Sequence, residues 1–140
     1  MVLSGDIMDQ IRRHGEETYP YECCGFLMGS QDDGARLVSE IRRQANERRE
    51  SRETRFLITP LEFREAERAA RKAGLLMVGI YHSHPDSPAR PSDYDRDHAW
   101  PWYSYLILSV SGGRAGEANA WELKDDRSGF ESRALEIDGK

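Results

Sequence analysis

The sequence of residues 75–85 is LLMVGIYHSHP. Its first part, residues 75–81, is a continuous apolar run of strand length, which is typical of a strand buried on both faces. His82 and His84 follow at the end of this run. Because successive side chains of a strand point to opposite faces, the two imidazoles are predicted to share one face, where they can converge on a single metal ion.

The segment after the proline-rich loop offers a further ligand. A short helix is predicted over Ser92–Trp100. At about 100° per residue, Ser92 and Asp95 share a face of this helix, whereas Asp93 and Asp97 lie about 200° away from Asp95. A catalytic zinc usually takes three protein ligands and leaves its fourth position to water. Asp95 is therefore the candidate for the third ligand.

An early glutamate is the candidate base. A water activated by a metal still needs a group that takes its proton and passes it to the leaving amine. Glu22 stands immediately before an apolar run at residues 24–29, at the predicted rim of the core. It is the best candidate for this role, although spacing along the chain does not by itself bring its carboxylate to the metal.

The remaining elements follow from hydrophobic pattern and turn residues. Helices are predicted from a cap at Asp6 to a stop by Tyr19 and Pro20, and from the capping box Thr59-Pro60-Leu61-Glu62 to Gly74. Strands are predicted at Cys24–Gly29, Arg36–Ile41, Phe56–Ile58, Tyr103–Val110, Glu117–Leu123 and Phe130–Ile137. This order favours an α+β domain with a mostly antiparallel twisted sheet flanked by helices over a doubly wound fold.

Composition excludes several classes of function. The chain has 140 residues, the length of one ordinary domain spanning residues 1–140. Its formal net charge of -5 argues against nucleic-acid and anionic-membrane partners. The first residues contain no long apolar run, so neither a secretory signal nor a membrane span is predicted, and a cytoplasmic location is expected. The adjacent Cys23 and Cys24 are predicted to be buried, reduced thiols.

Taken together, these residues resemble the JAMM signature of MPN-domain metalloproteases. Glu22 precedes CGFLMG at residues 24–29, and VGIYHSHP at residues 78–85 is followed by Ser92 and Asp95. The pattern H-x-H, seven residues, S, two residues, D is met without a gap. The resemblance in element order covers most of the chain.

The resemblance implies a fold, a cofactor and a set of roles. The fold is the MPN fold, which is cytidine-deaminase-like. The cofactor is one zinc ion per chain, held by His82, His84 and Asp95. Glu22 is implied as the general acid/base, and Ser92 as a hydrogen-bond donor to the tetrahedral oxyanion. The implied enzyme is a zinc peptidase or isopeptidase that attacks an amide with metal-activated water.

The same resemblance narrows the substrate. Short stand-alone bacterial members look like processing enzymes for ubiquitin-like sulfur-carrier proteins, which cut the bond after the carrier's C-terminal glycines. Deubiquitinating relatives carry insertions that grip ubiquitin, and this chain has little room for them. The identity of the carrier, the oligomeric state and a native metal other than zinc stay open.

Alternative interpretations accompany each feature. The whole chain can be a non-catalytic MPN scaffold that binds protein partners, or a metal hydrolase of a small amide. Ser92 and Asp95 alone can be a plain helix cap. His98 is a candidate substitute ligand, with a solvent-facing histidine as the alternative. Cys24 can be proposed as a nucleophile, but the sequence contains no cue for its base.

Three further segments have a structural interpretation. Arg42–Arg55 is predicted to be a solvated loop, or else a surface that docks an acidic protein. Ser111–Gly116 resembles a phosphate loop but precedes a strand, so a hairpin turn is predicted. The aromatic residues Trp100, Trp102 and Tyr103 are predicted to pack in the core beside the site.

Overall fold

The computed structural model describes residues 1–44, 58–100 and 102–138. Its helices are α1 (Gly5–Thr18), α2 (Pro60–Lys72) and α3 (Asp93–His98). Its strands are β1 (Val2–Ser4), β2 (Cys24–Asp32), β3 (Ala35–Gln44), β4 (Leu76–Pro85), β5 (Ser104–Ser111), β6 (Arg114–Leu123), β7 (Phe130–Arg133) and β8 (Glu136–Asp138). Within these ranges the strands form one sheet in the order β7-β6-β5-β4-β2-β3-β1-β8.

The centre of the sheet is β4, which pairs antiparallel with β2 and parallel with β5. The pairs β2–β3, β5–β6 and β6–β7 are also antiparallel, whereas β1 pairs parallel with both β3 and β8. The predicted α+β domain with a mostly antiparallel sheet and flanking helices is confirmed. A strand paired on both sides has a fixed register, so the residues at its end are fixed as well.

The first helix begins earlier than its sequence predicts. Ser4 is the N-cap, and its side chain accepts a hydrogen bond from the backbone N–H of Ile7. The prediction of Asp6 as the cap is wrong. Asp6 lies in the first turn instead, where its charge favours the positive end of the helix dipole. The helix ends at Thr18, as the following Tyr19-Pro20 requires.

The second helix is capped as predicted. The Thr59 side chain accepts from the N–H of Glu62, and the Glu62 carboxylate accepts from the N–H of Thr59. Its buried face contains Ala66 and Ala70, whose small side chains let the helix approach the sheet closely. Gly74 follows with a φ of 75°, a left-handed conformation that glycine adopts without steric cost.

Two hydrophobic cores lie on opposite faces of the sheet. The first packs under α1 and contains Ile7, Met8, Ile11, Leu27, Val78, Tyr81, Leu106 and Leu108. The second packs under α2 and contains Phe26, Met28, Phe63, Ala66, Met77, Ile80 and Tyr105. Both faces of β4 are therefore buried, as its continuous apolar sequence predicts.

Two predicted boundaries are wrong. The start of the predicted loop Arg42–Arg55 continues β3 as far as Gln44, because Arg42, Arg43 and Gln44 pair with residues 24–26 of β2. The predicted strand Phe130–Ile137 is divided into β7 and β8, which lie at opposite edges of the sheet. The rest of the loop and most of the predicted strand Phe56–Ile58 lie outside the described residues, and Ile58 itself belongs to no strand.

The predictions for the glycine-rich segment and for the two cysteines are confirmed. Residues 112 and 113 form the turn between β5 and β6, so the glycine-rich segment is a hairpin turn. Cys23 and Cys24 are both buried free thiols. In the described part of the chain, no helix combines the length and the apolar character needed to cross a membrane.

Candidate metal centre

The end of β4 presents His82 and His84 on the same face of the sheet, as predicted. Ile80 points into the core under α2, and the alternation of the strand sends both imidazoles to that side. Only 1% of His82 and 7% of His84 is exposed. Their backbone partners are Cys24 on β2 and Ser109 on β5. Hydrogen-bonded strands therefore position the rings from both sides.

The start of α3 adds a carboxylate to this face. Ser92 caps the helix by accepting a hydrogen bond from the N–H of Asp95 at 3.1 Å, and Asp95 Oδ2 accepts from the N–H of Ser92 at 2.9 Å. The predicted capping arrangement is therefore present. It does not replace the proposed ligand role, because the same Asp95 carboxylate also lies against both histidines.

The three side chains converge on one point. Nε2 of His82 lies 3.2 Å from Nε2 of His84 and 3.2 Å from Asp95 Oδ1. Nε2 of His84 lies 3.0 Å from Asp95 Oδ2. Donor atoms on a tetrahedral zinc, at about 2.0–2.1 Å from the ion, are about 3.3 Å apart. The spacing of the donor atoms of His82, His84 and Asp95 therefore fits one metal ion.

The electrostatics of the group suit a cation. Burial is the main cause that lowers the pKa of His82, which favours the neutral imidazole that metals bind. Burial alone would raise the pKa of Asp95, but its electrostatic interaction with His82 and its hydrogen-bonding contacts with His82, His84 and the Ser92 backbone outweigh burial and hold this pKa well below its usual range. The carboxylate is therefore ionised and faces two nitrogen donors.

A backbone carbonyl orients His84. Its Nδ1 lies 2.9 Å from the carbonyl oxygen of Pro88. In a neutral ring, a proton on Nδ1 that is donated to this carbonyl leaves the lone pair on Nε2, which faces the group. The sequence predicts a proline-rich loop after His84, but it contains no signal for which carbonyl meets the ring.

Glu22 and Ser92 lie on one side of the group. They line a cavity of about 500 Å³ together with His84 and residues of the Pro85–Pro91 segment. We call this space the polar cavity. Glu22 is 2% exposed and stands just before β2, the strand beside β4. The fold thus brings the early glutamate to the cavity that His84 lines.

A second cavity also borders the group. This aromatic cavity, of about 220 Å³, is lined by His82 and Asp95 and by a set of mostly apolar side chains that includes Ile80, Tyr94, Trp100, Tyr105 and Phe130. The group of His82, His84 and Asp95 therefore borders a polar cavity and a mostly apolar one. The sequence did not predict the aromatic cavity, because its walls come from five separate segments of the chain.

Two alternative site residues lie outside the group. His98 is exposed, and its ring stacks on Tyr94 with centroids 3.9 Å apart while its Nδ1 contacts the Tyr94 carbonyl at 2.9 Å. Cys24 pairs with His82 across the sheet, but burial raises the pKa of its thiol far above neutrality. A buried thiol of this kind is not a nucleophile at neutral pH.

The aromatic residues near the site divide into two kinds. Trp100 stacks on Phe63 with ring centroids 4.4 Å apart, and Tyr103 meets Phe63 edge-on at 5.1 Å. The prediction of core packing is wrong for Trp102, which is 52% exposed. Its ring is covered instead by the Arg36 guanidinium, 4.0 Å from the ring centroid.

Comparisons with known proteins agree with this geometry. A family model described as "Prokaryotic homologs of the JAB domain" matches residues 4–124. A desampylase from Haloferax volcanii is 39% identical over 79% of this chain and 81% of its own length. A desampylase from Pyrococcus furiosus is 34% identical over 74% of this chain and 68% of its own length.

Solved structures share the fold. A protein from Desulfitobacterium hafniense superposes with a TM-score of 0.86 at 30% identity, covering 99% of this chain and 93% of its own. A protein from Salinibacter ruber gives 0.77 at 44% identity, with 98% and 91% covered. A JAB1/MPN domain protein from Archaeoglobus fulgidus, at 20% identity and a TM-score of 0.63, covers 99% of both chains and shows the fold alone.

The family model covers most of the chain, and two relatives exceed 30% identity over more than two thirds of it. The group of two histidines and an aspartate stands where the signature predicts it. The chain therefore belongs to the family of prokaryotic homologues of the JAB domain and is a JAMM-type hydrolase.

Proposed function

We propose that this protein is a zinc-dependent isopeptidase that cuts the amide bond after the C-terminal glycines of a ubiquitin-like sulfur-carrier protein. In this proposal His82, His84 and Asp95 hold one zinc per chain, Glu22 is the general acid/base and Ser92 donates a hydrogen bond to the oxyanion. The carrying observation is the convergence of three buried donor atoms within 3.0–3.2 Å of their neighbours.

The donor set supports zinc. Two imidazole nitrogens and one carboxylate are a ligand combination that zinc hydrolases use, and such sites leave a position open for water. When bound, zinc lowers the pKa of that water and polarises the scissile carbonyl. The residues of the chain supply the rest: they hold the ion, move the proton and stabilise the developing charge.

In the proposed mechanism, Glu22 transfers the proton. A carboxylate in a nearly closed space is screened little by solvent, so it can take the proton of the attacking water and deliver it to the leaving nitrogen. The leaving amine must then lie on the side of the polar cavity, within reach of Glu22. The tail of the carrier accordingly lies over the aromatic cavity, on the other side of the metal.

Ser92 is suited to the oxyanion. Its oxygen accepts the N–H of Asp95, and a hydroxyl that accepts one bond still has its own proton to donate. The cap fixes the direction of this oxygen before substrate arrives. A donor prepared in this way typically lowers a barrier by about 3 kcal/mol.

The relatives support the substrate class. Two are named desampylase, and a third, 40% identical over 44% of this chain, is a probable TtuB-protein conjugate cleaving protease from Thermus thermophilus. These names favour hydrolysis of the bond between a ubiquitin-like protein and its conjugate. A glycine tail suits binding in an extended conformation beside the site, because it has no side chains to place.

The proposal includes a cytoplasmic location for the protein. Cys23 and Cys24 are buried free thiols, which is usual for proteins of a reducing cytoplasm.

The experiment uses ubiquitin-like carriers that bear C-terminal extensions. Purified protein is incubated with them, with and without a chelator, and the product masses are read. Cleavage after the last glycine that stops with chelator and returns with zinc is expected. Glu22→Gln is expected to keep zinc and lose at least about a hundredfold in turnover. Glu65→Gln, at an exposed position of α2, is the matched control and keeps full activity.

Two outcomes would overturn the proposal. Undiminished turnover in Glu22→Gln removes that residue from its role. Carriers left intact by a zinc-loaded protein that hydrolyses small amides would assign a different substrate.

A further inference from the structure

The ring of His84 meets the segment between β4 and α3, and Asp95 is carried by α3 itself. Residues 86–92, between β4 and α3, include two prolines, which have no N–H to donate, and α3 has only six residues. An isolated helix of that length is not stable in water. The carbonyl of Pro88 that meets His84 and the helix that carries Asp95 must therefore be held by other parts of the chain.

One side of the hairpin formed by β6 and β7 holds the proline-rich segment. Asn119 and Trp121 on β6 both donate to the carbonyl of Ala89, each at 3.2 Å. Ala89 is fully buried and follows Pro88, whose carbonyl orients His84. Two donors on one acceptor thus fix the peptide next to the carbonyl that the imidazole meets.

The turn of the same hairpin holds the far end of α3. The Arg127 guanidinium contacts the carbonyls of Ala99, Arg96 and Asp97 at 3.2, 3.1 and 3.4 Å. These are carbonyls that a helix leaves without a partner at its C-terminus, and a positive charge there also favours the helix dipole. The Ser92 cap holds the other end of α3, so Asp95 lies between two fixed points.

We propose that the β6–β7 hairpin is the support of the metal centre, with Asn119 a positioning residue for His84 and Arg127 a positioning residue for Asp95. Neither residue belongs to the group of His82, His84 and Asp95 or lines the polar or the aromatic cavity. Their contacts fix the two ligands that the central strand alone does not fix: the tautomer and angle of His84, and the helix that bears Asp95. The inference rests on the proposed function only in that the group binds a metal.

The test compares metal binding with stability. Arg127→Met keeps the aliphatic stem but donates nothing, and the side chain is exposed, so the core is not disturbed. We expect zinc affinity, measured by chelator competition, to fall about tenfold, as for loss of other outer partners of a metal ligand. Asn119→Ala is expected to lose about threefold, because Trp121 keeps one donor on Ala89. Arg127→Lys is expected to recover part of the loss.

A cobalt spectrum distinguishes a change in the geometry of the metal ligands from a general loss of folding stability. With Co²⁺ in place of zinc, the visible absorption of Arg127→Met is expected to change in intensity or position, while the metal-free protein unfolds at the temperature of the unsubstituted protein. The matched control is Arg133→Ala, an exposed arginine of the same hairpin whose ion pairs are with Glu122 and Glu131.

Wild-type zinc affinity and an unchanged cobalt spectrum in Arg127→Met would overturn the inference. Metal binding is measured without substrate, so a failure of the carrier assay leaves this test intact. Failure of the unsubstituted protein to bind zinc would instead count against the proposed function itself.

Discussion

Two sites with buried histidines lie against opposite faces of the central strand β4. Under α1, His14 contacts the hydroxyl of Tyr81 through Nδ1 at 2.7 Å, and it is 7% exposed. One residue further along the strand, on the other face, His82 meets His84 and Asp95. Both sites are equally closed to solvent, but only the second brings several donors to one point.

The difference shows that burial of a histidine does not identify a metal site. Burial lowers the pKa of His14 to about 4, and the positive charge of Arg43 adds to that effect. A single neutral hydroxyl then satisfies the ring, which is the usual state of a core histidine. Three donor atoms with lone pairs facing each other are unfavourable unless a cation lies between them. Convergence of donors, and not burial, is therefore the diagnostic feature.

Removing the carboxylate from the second site has the largest expected effect. Asp95→Ala should abolish hydrolysis and lower zinc affinity by more than about a hundredfold. This loss exceeds the one expected when a residue that only hydrogen-bonds to a metal ligand is removed. His14→Gln keeps a hydrogen-bonding side chain at the first site and should leave both properties unchanged. Chelator competition measures the affinities of both variants. Equal zinc affinity in the two variants would remove the distinction between the sites.

The site around His14 and Tyr81 is instead sensitive to added side-chain volume, which should lower the stability of the fold. A Cβ at Gly25 would overlap the ring of Tyr81, which is fully buried and held by His14. Gly25→Ala should therefore lower the free energy of unfolding by about 3 kcal/mol. Gly129→Ala, where a Cβ has open space, should change it by less than about 1 kcal/mol. Urea unfolding of both variants is the measurement, and equal midpoints would contradict the packing described here.

Acid should destabilise the protein through His14. Its pKa is about 4 in the folded protein, against 6.5 for an exposed histidine ring. Between these values the unfolded chain binds a proton that the folded protein does not, so stability falls as the pH falls from 6.5 to 4 and loses nothing more below that. The contribution is up to about 3 kcal/mol. Subtracting the unfolding curve of His14→Gln across this range isolates it, and parallel curves would refute it.

Loss of the tyrosine hydroxyl has the smallest expected effect. Tyr81→Phe keeps the ring over Gly25 but leaves Nδ1 of His14 without this partner, which costs about 1–2 kcal/mol. Zinc affinity should not change, because Tyr81 faces away from the metal side of β4. A lowered affinity in this variant would mean that the two faces are coupled.

Local features of the fold could be predicted from the sequence where they carry their own signal. The capping box at Thr59 and the apolar run of β4 are examples, because each depends on neighbouring residues alone. The division of Phe130–Ile137 could not be predicted, since both halves have strand character and only distant pairing separates β7 from β8. β1 was missed because three residues are too few to show an alternating pattern.

The candidate site divides in the same way. His82, His84 and Asp95 could be predicted because strand and helix periodicity fix which side chains share a face. The contacts that hold these three residues in place could not be predicted. Pro88 acts through its backbone, and Arg127 reaches α3 from about 30 residues away along the chain, so neither contact leaves a local spacing.

The most direct test of the central claim is an anomalous diffraction map at the zinc edge from crystals of the purified protein. The account predicts one peak per chain, about 2.0–2.2 Å from a nitrogen of His82, a nitrogen of His84 and an oxygen of Asp95. A map without a peak at this group after soaking in zinc, or with zinc bound elsewhere while the three side chains contact only each other, would contradict it.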